Sequence, residues 1–120
     1  MGLKHKAIKV RRGDASLDAV LSALADPHRR KVVDVLRSGS QNAGELSKIV
    51  GLSPPAMSRH LRLLKACGVV GETHPGYDAR VRVYSLKTGP LSELKAWLET
   101  TEQMWAGQLA SFKAHLERKG

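Results

Sequence analysis

Apolar residues recur along this chain at two different spacings, and the change from one to the other divides it. From Asp14 to Ala25, the residues Leu17, Val20, Leu21 and Leu24 fall three and four apart, which places them on one face of a helix. Asp26-Pro27 then reads as an N-cap followed by a first-turn proline. A second helix therefore starts there, runs through Val32, Val33 and Leu36, and ends near Ser38-Gly39. Leu46, Ile49 and Val50 mark a short third helix, opened by an Asn42 to Glu45 capping box and closed by Gly51. Ser53 caps a fourth helix, whose first turn accepts Pro54 and Pro55 because the N–H groups there have no intrahelical partner; Gly68 ends it. Within it Met57, Leu61 and Leu64 form an apolar stripe, and Pro55, Ser58, Arg59 and Arg62 share the opposite side.

Past Gly68 the period drops to two. Val69 to His74 and Arg80 to Leu86 read as strands, joined by the turn Pro75-Gly76-Tyr77-Asp78-Ala79 into a β-hairpin. Arg80, Arg82 and Tyr84 alternate with Val81 and Val83, so one side of the second strand is expected to be cationic and the other apolar. From Pro90 to about Glu117 the helical spacing returns, through Leu91, Leu94, Leu98, Trp105, Leu109, Phe112 and Leu116. At ~1.5 Å per residue such a helix is about 40 Å long, more than one small core covers. Trp97, Met104, Trp105 and Phe112 are therefore expected to meet a second copy of the chain; the alternative is a helix wrapped around its own domain.

The pattern defines a mainly α fold with a small β-hairpin, and the polar positions say what it presents. The outer side of the fourth helix holds two guanidiniums, a hydroxyl and no carboxylate, a chemistry suited to phosphate oxygens and guanine edges. A plain solvated basic face is the alternative. The third and fourth helices, joined through Gly51-Leu52-Ser53, match a helix-turn-helix, in which the second helix enters the major groove and the first braces it. A hairpin directly behind such a helix is a wing, unless it is an ordinary edge strand protected by charge.

Composition narrows the partners. The 120 residues suit one domain, and 20 Lys+Arg against 11 Asp+Glu give a net charge of +9, which favours nucleic acid or an anionic membrane surface. Lys4, Lys6, Lys9, Arg11 and Arg12 are not offset by any acid in the first twelve residues. Residues 1–13 are thus expected to be a basic arm, either a disordered solvated end or a segment that tracks DNA backbone, with residues 14–120 as the domain. No apolar run approaches the ~20 residues of a membrane span, and no signal core follows the basic start, so a cytoplasmic protein is expected. A single cysteine, Cys67, excludes an internal disulfide framework and a cysteine metal cluster within one chain. Nothing resembles a nucleophile with its base, a phosphate-cradling glycine loop or a metal-ligand spacing, which argues against an enzyme.

Taken in order, several runs resemble the ArsR/SmtB family of winged-helix bacterial transcriptional repressors. They are Asp26-Pro27-His28-Arg29-Arg30, Gly44-Glu45-Leu46, the segment Leu52 to Leu64 with its Ser58-Arg59-His60-Leu61, Gly68-Val69-Val70 and Arg80 to Leu86. The resemblance runs from about Leu17 to the C-terminus. It implies a homodimer whose long terminal helix packs with the first helix, a pseudo-palindromic operator in double-stranded DNA, and repression until an effector arrives. By the same resemblance Pro55, Ser58, Arg59 and Arg62 contact DNA from the recognition helix and Arg80 and Arg82 from the wing. His60, on the flank of that helix, is open to a phosphate contact or to packing. The implied dimer interface contains Leu17, Leu91, Leu94, Trp97, Leu98, Met104, Trp105, Leu109 and Phe112.

The chain departs from the family's metal sensors. Glu45-Leu46-Ser47-Lys48 has no counterpart of their thiolate pair, and the terminal helix has only His115, with Glu117 on a different face, in place of their paired zinc ligands. Neither metal nor cofactor is expected, and Cys67 reads as a small buried residue rather than a redox switch. A small-molecule effector stays open, since the aromatic and Met positions of the terminal helix suit either its site or a dimer core. A second functional class is a winged-helix assembly module that does not act on DNA. Such a module would favour apolar or aromatic residues where Ser58, Arg59 and Arg62 stand.

Overall fold

The computed structural model describes residues 12–76 and 80–119, the side chains of residues 12–16 and 119 excepted. Its elements are α1 (Arg12–Leu24), α2 (Pro27–Leu36), β1 (Gln41–Asn42), α3 (Ala43–Val50), α4 (Pro54–Ala66), β2 (Val70–Thr73), β3 (Val83–Leu86) and α5 (Gly89–Lys119). Helix α1 begins at Arg12, so the last two residues assigned to the basic arm are helical. Residues 1–11 of that arm, and Tyr77 to Ala79 of the hairpin turn, lie outside the described residues.

The helix ends follow local chemistry. Asp26 Oδ1 accepts from the backbone N–H groups of His28 at 2.7 Å and Arg29 at 3.2 Å, and Pro27 takes the first helical position of α2. Asn42 Oδ1 accepts from Glu45 N at 2.8 Å, the N-cap half of the expected capping box. Gly51 ends α3 in the left-handed region at φ 81°, and its N–H and that of Leu52 both reach Ser47 O, at 2.8 and 3.0 Å. A side chain at Gly51 would strain this backbone, and the turn is what sets α4 against α3.

The core lies where α1, α2, α3 and α4 meet the small sheet. Val20, Val32, Leu46, Met57, Leu64 and Val69 have no exposed surface, and Leu61 and Val70 almost none. The stripe Met57, Leu61 and Leu64 is thus the buried side of α4. In α3 the buried positions are Leu46, Ser47 and Val50, and Ile49, expected inside, is 45% exposed. An eight-residue helix gives too few turns for spacing to choose between its two flanks, and packing against α2 and α4 makes the choice.

The hairpin departs further from expectation. The sheet has three antiparallel strands in the order β1-β3-β2, with Gln41 opposite Tyr84 and Val70 opposite Leu86. Strand β3 starts at Val83, so Arg80, Val81 and Arg82 precede it, and Val69 and His74 flank β2. Tyr84, which alternation placed with the arginines, is buried. As the central strand, β3 turns Tyr84 into the core, whereas Arg82 lies before the ladder and does not follow its alternation.

Helix α5 has 31 residues. Leu91 and Leu94, at its start, pack partly buried against the core of the same chain, and α1 also lies against this helix. Beyond them the helix does not wrap around the domain: Trp97, Leu98, Met104, Trp105, Leu109, Phe112 and Leu116 are 44 to 64% exposed. The molecule accordingly measures 70 Å along its longest axis against 36 and 23 Å across.

Candidate nucleic-acid interface

The outward face of α4 consists of Pro55, Ser58, Arg59 and Arg62, all exposed. The helix is seated at its N-terminus by Ser53, whose Oγ accepts from Ala56 N at 3.4 Å, and along its length by the three apolar residues beneath. At its C-terminal end Gly68, at φ 82°, turns the chain directly into β2.

The wing meets α4 around one carboxylate. Glu72 of β2 has only 10% of its side chain exposed, and its oxygens face Lys65 Nζ at 2.9 Å, His74 Nε2 at 3.2 Å and Arg82 Nε at 3.7 Å. The hydrogen bond from Lys65 holds the Glu72 carboxyl below the ordinary glutamate range; burial works in the opposite direction, and the charges of Lys65, Arg82 and His74 add to the lowering. Above this group lies a polar recess of about 190 Å³, lined by Ser58, Leu61, Arg62, Lys65, Glu72, Arg82 and Tyr84. Ser58, Arg62 and Arg82 are thereby gathered at one groove. Lys65 joins them without having been expected from the sequence; the signal for it is its place three residues beyond Arg62 and seven beyond Ser58, on the same side of the helix. Arg80 lines a separate hollow with Asn42, Ala43, Gly44, Val81 and Arg82, on the α3 side of the wing.

His60 is turned toward α2. Its Nδ1 lies 3.2 Å from Arg29 Nη1, and its ring centroid lies 5.7 Å from that of His28. Asp26, His28 and His60 each bring one potential ligand atom within 4.8 Å of the others, a convergence of α4 with the start of α2 that no local spacing reveals. Atoms of the same side chains have other work: His60 Nδ1 faces the Arg29 guanidinium, and Asp26 Oδ1 caps α2. Burial pushes the Asp26 carboxyl up, and the N–H groups of Arg29 and His28 outweigh it, so the carboxyl sits below its usual range and ionised. A guanidinium beside the ligand atoms opposes a cation there, and the group reads as a hydrogen-bonded brace.

Two apolar hollows lie elsewhere. One, of about 260 Å³, is bounded by Ala19, Ser22, Ala23, Arg29, Leu63, Ala66 and Cys67; the half-buried Cys67 thiol donates to Leu64 O at 3.3 Å. The other is a shallow site on α5 formed by Trp97, Thr101, Met104, Trp105 and Gln108.

A helix-turn-helix whose second helix shows hydroxyl and guanidinium groups, with a three-stranded wing beside it, defines a winged helix-turn-helix DNA-binding domain. Residues 26–71 match the family model for bacterial regulatory proteins of the arsR family. Over 82 residues the chain is 33% identical to the transcriptional repressor SdpR of Bacillus subtilis, a match covering 68% of this chain and 88% of that protein. Over 105 residues it is 32% identical to the HTH-type transcriptional regulator Rv2034 of Mycobacterium tuberculosis, covering 88% and 92%. The structure of an ArsR-like transcriptional regulator from Rhodococcus sp. RHA1 superposes with a TM-score of 0.68 at 29% identity, covering 82% of this chain and 91% of that one. The chain belongs to the arsR family. It is a DNA-binding transcriptional regulator and not an enzyme. No helix among the described residues is long and apolar enough to cross a membrane.

Proposed function

We propose that the protein is a cytoplasmic homodimeric repressor that binds a pseudo-palindromic operator in double-stranded DNA and acts without a metal; a small-molecule effector stays open. The observation that carries this reading is the outward face of α4, where Pro55, Ser58, Arg59 and Arg62 are all exposed and no carboxylate stands among them. Ser58 and Arg59, near the N-terminal end of the helix, read base edges; Arg62, with Arg80 and Arg82 of the wing, holds phosphates. Two copies joined through α1 and the exposed length of α5 present two such helices to half-sites about one helical turn apart, ~34–36 Å.

Selection from a randomised duplex library tests this reading. The protein is expected to enrich one inverted repeat, and Arg59→Ala is expected to lose that preference. Binding without enrichment would overturn sequence-specific recognition, and failure to bind any duplex would favour the assembly-module reading.

A further inference from the structure

We infer that Glu72 is a specificity-determining residue: it draws Lys65 of the recognition helix and Arg82 of the wing onto itself, so that these cations turn to DNA phosphates only where base contacts by α4 outweigh the loss. This rests on the reading of the α4 face as a DNA-binding surface.

A carboxylate is out of place in a groove meant for a polyanion, and Glu72 is the acid that lines the recess between α4 and the wing. It repels phosphate, and it engages cations that would otherwise bind phosphate: Lys65 Nζ at 2.9 Å from Oε1, and Arg82 Nε at 3.7 Å from Oε2, the oxygen that His74 Nε2 also approaches at 3.2 Å. Fold stability alone does not account for the arrangement, beyond a modest contribution from the ionised Glu72 carboxyl. The side chains of Lys65 and Arg82 are 52% and 59% exposed, and ion pairs with so much water around the cation contribute little. Geometry accounts for it better. One carboxylate with 10% of its side chain exposed fixes the end of α4 against the strand that leads into the wing, and orients two long, flexible cations at once.

Binding to random DNA relies on phosphate contacts alone, so it must draw Lys65 and Arg82 away from Glu72 without return. At the operator the same rearrangement is offset by base contacts that form only there. Glu72 therefore weakens random binding more than operator binding, which is discrimination by a repulsive element.

The test compares wild type with Glu72→Gln and Glu72→Asp, using the full-length protein. The probes are an operator duplex selected by wild type and a scrambled duplex of the same composition, each at several salt concentrations. Thermal melting of each variant identifies loss of fold. In Glu72→Gln, affinity for scrambled DNA is expected to rise roughly three- to tenfold and its log–log salt slope to steepen by about one, as when one more phosphate is neutralised. The ratio of operator to scrambled affinity is expected to fall, by up to the factor gained on scrambled DNA. Glu72→Asp keeps the charge but shortens the reach to Lys65, so it should lower the ratio and steepen the slope by less than Glu72→Gln does. Unchanged affinities in both variants overturn the inference, as does a change of both DNAs by one common factor. If wild type does not itself distinguish the two duplexes, it is the DNA-reading function that fails, before Glu72 is tested.

Discussion

Arg29 Nη1 lies 3.2 Å from His60 Nδ1, and this contact ties the recognition helix to the end of α1. The same guanidinium donates from Nε to Ala23 O at 2.6 Å and from Nη2 to Ser22 O at 3.4 Å, where α1 stops; Ser22 O also accepts from Ala25 N at 3.2 Å. Three elements thus share one side chain.

Removing this brace should cost stability. Arg29→Ala leaves the Ala23 carbonyl and a half-buried imidazole without this donor and is expected to destabilise the fold by about 1–3 kcal/mol. Arg29→Lys should recover little of it, since an ammonium lacks the planar fork that spans all three acceptors. Urea unfolding midpoints of the two variants check this; full rescue by lysine would contradict the role of the fork.

Dimerisation should depend on the far half of α5. Wild type is expected to sediment at twice the 13.1 kDa chain mass, and Leu109→Glu with Phe112→Glu to give monomer with helicity retained, because both positions are exposed in the single chain. Sedimentation equilibrium at micromolar concentration measures this, and a monomeric wild type would remove the basis for a palindromic operator.

The two basic regions should separate in DNA binding. Arg59→Ala is expected to cost on the order of 1–3 kcal/mol on operator DNA and to narrow the gap to random DNA. Deletion of residues 1–11 stops short of α1, which begins at Arg12, and removes Lys4, Lys6, Lys9 and Arg11. It should weaken both DNAs by similar factors and flatten the salt dependence. Titrations at several salt concentrations distinguish these results; equal weakening of both DNAs by Arg59→Ala would make that residue a phosphate clamp.

Acid should loosen the fold partly through Glu72. Its carboxyl is held low chiefly by the hydrogen bond from Lys65, so its ionised form contributes stability at neutral pH. That contribution is fully present above the ordinary glutamate value and is lost as pH falls through the lowered one. Asp26, also held low, acts with the same sign in a more acid window, below its ordinary value of 3.8. Stability of Glu72→Gln should therefore decline less steeply than that of wild type below about pH 4.5, the ordinary glutamate value. Denaturant midpoints between neutral and acid pH test this, and parallel curves would count against it.

Zinc, cadmium and arsenite should leave operator binding unchanged, because one cysteine per chain supplies too few soft donors and Arg29 opposes a cation beside His60. Fluorescence anisotropy of labelled operator during metal titration measures it. Release near one equivalent of metal would refute the expectation, and its loss in His28→Ala would trace it to the Asp26, His28 and His60 group.

The sequence by itself determined the parts of this protein that local chemistry controls. Ser53-Pro54, Asp26-Pro27, Asn42 and Gly51 set helix ends because caps and left-handed turns act within a few residues. The inner stripe and outer basic face of α4 were equally legible, since thirteen residues give spacing enough turns to define both sides. Tertiary structure alone decided what depends on contacts between distant segments. Strand β1 has two residues and no period of its own, and it exists because β3 pairs with it. Ile49 faces out, and Tyr84 turns inward, because neighbouring elements choose the buried side in short elements. The brace from Arg29 to His60 and the cluster of Lys65, His74 and Arg82 around Glu72 form because side-chain partners meet only once the helices and the wing have packed, and no spacing along the chain encodes that meeting.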